Sequence, residues 1–181
     1  KPVAFHLDPN GRISWKLGLA VNSGVEKKYI LKKLESPLKP DVNFFTIKQV
    51  EGGYSFHLMN KPLLYYRAAT MFPPEGVDEA YKRSGYIHPL YALNGAELTS
   101  IQPEDHYHHY GIWNPWTKTQ FRGEEIDFWN LKKMEGTVRH REVLDTVSGP
   151  VFSRLKVMHE HIAWPESEKE TIAMEEIQEM T

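Results

Sequence analysis

The sequence predicts a mainly β protein, folded as an antiparallel β-sandwich. Three observations carry this expectation. Apolar and polar residues alternate in several short runs, the period of a strand with one buried face. Gly, Pro, Asn and Asp interrupt those runs roughly every 8–15 residues, the punctuation of a strand meander. No stretch keeps a 3.6-residue apolar period over the length of an ordinary helix. At 181 residues the chain reads as one domain, 1–181, long enough to bury about two-thirds of its unfolded surface.

The elements follow in chain order. Asp8-Pro9-Asn10-Gly11 is a turn signal, and Ile13 to Val21 after it alternates as a half-buried strand. Val25 to Leu34 is rich in lysine and fits either a solvated helix or an edge strand, ended by Pro37 and Pro40. Asn43 to Tyr66 reads as strand, turn and strand. Phe45 and Ile47 share a face, Gly52-Gly53 makes a hairpin-type turn, and Tyr54, Phe56 and Leu58 share the next face. Leu63–Tyr66 is a further short strand after Pro62. Phe72 to Asp78, with Pro73-Pro74 and Gly76, can only be a loop. Beyond Gly85 short aromatic strands are expected at Tyr86–Tyr91, Asp105–Trp113, Ile126–Trp129 and Val138–Val143, with turns at Asn94-Gly95 and Ser148-Gly149-Pro150. Val151, Leu155 and Val157 then line up on one face with His159 and His161.

Composition removes several function classes. Twenty-two basic residues against 24 acidic ones leave no cationic excess for a nucleic-acid partner. The absence of cysteine excludes disulfides, zinc–thiolate sites and cysteine nucleophiles. No apolar run approaches the ~18–20 residues of a membrane span. There is no phosphate-binding loop, dinucleotide fingerprint or Gly-x-Ser-x-Gly elbow. The chain starts at Lys1, and Thr171–Thr181 reads as part of a structured element, so the sandwich is expected to be truncated at its C-terminal end.

Nine histidines occur, three of them in Asp105-His106-Tyr107-His108-His109-Tyr110-Gly111-Ile112-Trp113. On an extended strand His106 and His108 would point to one side, and Asp105, Tyr107 and His109 to the other. Such a pair can exchange protons with a bound hydroxyl, because imidazole titrates near neutrality. It can also clamp a metal. The plainer reading is a hydrogen-bonded turn or edge. A cupin-type carboxylate is missing, since the next glutamate after the cluster is Glu124. His88, His140, His159 and His161 sit on other expected strands and could converge with the cluster; for His159 and His161 burial with satisfied nitrogens is the plainer reading.

Aromatic residues crowd the same region: Trp113, Trp116, Phe121, Phe128 and Trp129. Indole faces stack on sugar C–H faces, and Arg122, Glu124, Glu125 and Asp127 could bind hydroxyls, so the cluster points to a carbohydrate or polyol. For any single tryptophan a place in the core is the plainer reading. Glu125 and Asp127 on one strand also suggest a glycosidase pair, against the commoner reading of a solvated face.

The blocks Tyr81-Lys82-Arg83-Ser84-Gly85-Tyr86-Ile87-His88-Pro89-Leu90, Asp105–Trp113, Ile126-Asp127-Phe128-Trp129 and Gly136-Thr137-Val138-Arg139 resemble the bacterial family labelled "PmoA", or methane oxygenase PmoA, over roughly Asn43 to Ile162. That resemblance implies a galactose-mutarotase-like β-supersandwich in sugar-utilising bacteria, periplasmic or secreted. It implies His106 and His108 as catalytic acids at a sugar ring. It implies Arg83, His88, His109, Trp113, Asp127 and Trp129 as substrate-binding positions. No cofactor is implied. The expected partner is a small-molecule carbohydrate, with exposed sheet edges favouring a homo-oligomer. A non-catalytic carbohydrate-binding module and a His-ligated Zn, Mn or Fe enzyme are the alternatives.

Overall fold

The structure, a computed structural model, describes residues 3–8, 10–17, 22–33 and 44–181. Eleven strands occur among them, all paired antiparallel, with no helix beyond the two short 3₁₀ turns Glu79–Tyr81 and Leu131–Lys133. The mainly β, sandwich-like expectation holds. β1 (Phe5–Leu7) and β2 (Ile13–Trp15) form a short hairpin. Its turn is held by Asp8, whose carboxylate accepts from the Asn10 and Arg12 amides. β2 is shorter than the expected strand, and positions 18–21 lie outside the described residues. Residues 25–33 form neither helix nor strand, and Leu34, Pro37 and Pro40 lie outside the described residues.

Two larger sheets make the body. The first runs β3 (Phe45–Val50), β4 (Gly53–Leu58), β5 (Lys61–Arg67), β6 (Tyr86–Leu90), in that order across the sheet. Gly52 takes φ +74° at the β3–β4 turn, and a side chain on Gly53 would place its Cβ 1.9 Å from the Tyr66 carbonyl oxygen. Glycine is therefore required twice, once for the turn and once for the close approach of β5. β7 (Thr119–Phe121) and β8 (Glu124–Ile126) form a small hairpin. The second large sheet is β9 (Gly136–Val147), β10 (Arg154–Ala163) and β11 (Thr171–Met180), with β10 in the middle.

β10 shows why these sheets face each other. Leu155, Val157, His159 and His161 are buried, while Arg154, Lys156, Met158 and Glu160 between them are half-buried. Leu155 and Val157, with Met180 of β11, pack against Phe56, Tyr66 and Ile87 of the first sheet. Each such aliphatic side chain contributes roughly 1.5–3 kcal/mol on burial. A second cluster joins Ile126 and Phe128 to Val138 and Ala163, and a third joins Tyr86, Tyr110 and Leu131.

One polar tie crosses the interior. The hydroxyl of Tyr66, fully buried on β5, lies 2.8 Å from His140 Nδ1 and 2.7 Å from His159 Nε2. With one hydrogen it donates to one imidazole and accepts N–H from the other. Burial lowers the His159 pKa to about 4, and burial also lowers that of His140. The plainer expectation for His159 is thus met: its ring is sealed in the interior and satisfied there.

These shifts set a pH dependence. His159 has a folded pKa of about 4 against an unfolded 6.5, so in that window only the unfolded chain takes the proton. Stability should fall by on the order of 3 kcal/mol as pH drops from above 6.5 to about 4. His140 acts in the same direction. Urea midpoints measured at pH 7.5 and pH 4.5 check this; equal midpoints would contradict it. Tyr66→Phe, which strands both imidazoles, should cost about 2 kcal/mol at neutral pH.

Candidate functional site

The segment expected as a strand at Asp105–Trp113 is not extended. Its backbone runs through successive tight turns: His106 N donates to Pro103 O, His109 N to His106 O, and Gln102 N to His109 O. The physical reason is that the run has no apolar face for a strand to bury, while Pro103 before it and Gly111 within it favour turns. The loop is anchored by Tyr110, which is fully buried. Its hydroxyl donates to Tyr81 O at 2.6 Å and accepts from Gln102 Nε2 at 2.6 Å. It is latched to β6 by the reciprocal Ile87–Ile112 backbone pair. Gly111 lies against that latch with φ +48°; a Cβ there would sit 2.2 Å from Ile87 O.

The turns gather three imidazoles that a strand would have separated. His106 and His109 stack with centroids 4.9 Å apart, and His108 meets His109 edge-on at 4.4 Å. His106 is exposed, with Nδ1 2.9 Å from Asp105. His108 is pulled below the ordinary imidazole pKa by burial and by its two neighbours, with Asp127 opposing; it is neutral at pH 7.

His109 continues the cluster to the tryptophans. Its ring lies 6.0 Å from Trp129, edge-on, and Trp113 lies 5.0 Å from Trp129. His109, Trp113 and Trp129 line an open cleft of about 370 Å³ together with Thr99 and Ser100. His88 borders it through an Nδ1–Thr99 Oγ1 contact of 3.0 Å. Burial lowers the His88 pKa, against Glu97 and assisted by Arg67.

Asp127 shapes the far wall. β8 ends at Ile126, so the expected strand to Trp129 stops short there. The Asp127 carboxylate turns the chain instead, accepting from the Trp129 and Asn130 amides and from Lys133 Nζ at 3.0 Å. Burial works against its ionisation, but those donors hold its pKa below the ordinary carboxylate value. Asp127 therefore positions Trp129. Glu124 and Glu125 are exposed on the β7–β8 hairpin and Asp127 is committed to its turn, so no glycosidase pair forms on one strand face.

Arg83 lies on the buried side of the site, its guanidinium 3.8 Å from the Trp113 ring centroid. Behind it, His161 Nε2 donates to Glu176 Oε2 at 2.8 Å, and Asn114 donates to Glu176 Oε1 at 3.0 Å. Burial alone would raise the Glu176 pKa, and these two donors bring it below its usual value. Glu176, Asn114 and Tyr110 were not singled out from sequence. Glu176 stands among other glutamates of β11, so only the pairing of β11 with β10 reveals it. Among the described residues no three or more His, Asp or Glu side chains are arranged to hold a metal ion. No described helix is long and apolar enough to cross a membrane.

Residues 54–181 match a family of unknown function, DUF6807. The chain belongs to that family. No curated protein and no solved structure matches it. The resemblance to the PmoA-labelled family is therefore corrected, and the mutarotase likeness implied through it falls as well. Several positions within the blocks that suggested it hold the framework of this DUF6807 chain. Phe128 and Ile126 crowd Gly136, where a Cβ would meet Phe128 at 2.5 Å, and Arg83 packs on Trp113.

Asp127→Ala removes three hydrogen bonds from one turn. It should lower stability by about 1–2 kcal/mol and red-shift tryptophan emission as Trp129 loosens. Urea denaturation and fluorescence spectra check both; an unchanged spectrum would show that Trp129 is held by something else.

Proposed function

We propose that the protein binds a carbohydrate or related polyol in the cleft beside His109, Trp113 and Trp129. The observation that carries this reading is the indole pair at the cleft wall. Trp129 is 37 % exposed although it packs on Trp113. An exposed indole fixed by an Asp turn and a second ring suits the apolar C–H face of a sugar. The hydroxyls of Thr99 and Ser100 and the imidazole of His109 surround it with polar groups for sugar hydroxyls. Openness of this kind suits a binding module as well as an enzyme.

One further observation supports proton-transfer chemistry as a second reading. His106 and His108 pack on His109, which lines the cleft, and burial holds the His108 pKa below the ordinary imidazole value. A neutral imidazole can accept a proton from a bound hydroxyl.

Isothermal titration with a panel of neutral mono- and oligosaccharides tests binding. Trp129→Ala should weaken the best ligand about tenfold with little change in melting temperature. Absence of saturable heat with the whole panel, or equal affinity in the variant, would overturn the reading. Where turnover is found, His106→Ala with His108→Ala should lower kcat by about 10²-fold or more; binding without turnover leaves the module.

A further inference from the structure

The β1–β2 hairpin carries its apolar residues outward. His6 and Ser14 pair across it on the side that faces the body, where the His6 ring meets Phe152 edge-on at 4.6 Å. Phe5 and Trp15 pair on the opposite side, next to Leu7 and Ile13, and there Phe5, Leu7 and Trp15 are exposed. An antiparallel sheet with one wet face ordinarily turns polar residues to the water. Tyr29 continues this face, its ring 5.6 Å from Trp15. Ile30 and Leu31 follow at 79 % and 75 % exposed, the two most exposed large apolar side chains among the described residues. Apolar residues standing singly in water are ordinary, but a contiguous set rimmed by charge marks a surface that something covers.

The rim here is cationic. Lys27-Lys28 precede Tyr29-Ile30-Leu31 and Lys32-Lys33 follow, with Lys16 beside Trp15 in the chain, and all five lysines are exposed. Lys28 meets Glu26 only loosely, at 3.9 Å. Residues 1–33 hold seven basic against two acidic side chains, in a chain whose net charge is −2. Positive charge is thus concentrated in the part of the chain that bears the apolar face. A fitting partner is anionic and also takes up aliphatic and aromatic side chains. A nucleic-acid backbone meets only the first condition. An anionic bilayer meets both: Trp and Tyr settle at the headgroup level, aliphatic side chains reach the acyl boundary, and lysines lie against the lipid phosphates.

We propose that this face docks on an anionic lipid bilayer, with Trp15, Tyr29, Ile30 and Leu31 entering the headgroup layer and Lys16, Lys28, Lys32 and Lys33 holding its phosphates. The attachment is peripheral and needs no membrane-spanning element. Two weak contributions act together: shallow apolar insertion, and electrostatic attraction that fades as salt screens it. The surface shares no residue with the cleft beside Trp129, so it stands or falls independently of the sugar reading.

Co-sedimentation of the chain with vesicles tests it, using phosphatidylcholine alone and phosphatidylcholine mixed with phosphatidylserine. Binding is expected to the mixed vesicles only, and should weaken steeply between about 0.05 M and about 0.5 M salt. Lys32→Gln and Lys33→Gln should each lower the partition coefficient about fivefold. Ile30→Ser with Leu31→Ser should lower it about tenfold; all four side chains are exposed, so these variants keep the fold. Failure to bind the mixed vesicles, or equal binding to both kinds, would overturn the proposal. So would partition unchanged in Ile30→Ser with Leu31→Ser, which would leave charge alone. Tighter binding to duplex DNA at the same salt, or a lipid-free dimer that the same double variant dissociates, would assign the face to nucleic acid or to a second copy and overturn it as well.

Discussion

The Tyr66 hydroxyl between His140 and His159 is the interaction on which the arrangement depends. Apolar packing between the two large sheets tolerates sliding, because it has no direction. A buried hydroxyl that must meet two nitrogens at once does not. The tie fixes β5 against β9 and β10. Tyr66 pairs across the sheet with Ile87, and Ile87 carries the latch to Ile112. The position of the histidine loop is thus set by a hydrogen bond in the core.

Trp113 joins the buried Arg83 to the open cleft. One face receives the buried Arg83, its ring packs on Trp129, and it lines the open cleft. The interior side is charged and closed, and the outer side is aromatic and wet. The indole therefore separates a buried charge from the open cleft.

The large sheets were legible in the sequence because their signals are local. Alternation at Tyr54, Phe56 and Leu58, the Gly52-Gly53 turn, and the run from Leu155 to His161 each need only neighbouring residues to be read. The gathering of His109, Trp113 and Trp129 was legible in membership and misread in form. His109, Trp113 and Trp129 do meet at one cleft, yet the logic of a shared strand face at Asp105–Trp113 was wrong, since aromatic alternation there comes from turns. His140 and His159 converge with Tyr66 in the core, well away from solvent. The partners of Arg83, Tyr110 and Glu176 come from residues far along the chain, and no period in a single sequence reports such distant encounters.

Gly111 has a consequence for how this cleft can change. Main chain touches main chain there, so at this point the backbone itself sets the spacing between β6 and the loop. The rim is then free to vary. Exchanging Ser100, His109 or Trp129 would alter the chemistry of the cleft surface while the frame beneath stays put. Relatives that keep a glycine at this point could diverge in ligand with little structural penalty, whereas one extra methyl group at the latch would displace the whole wall.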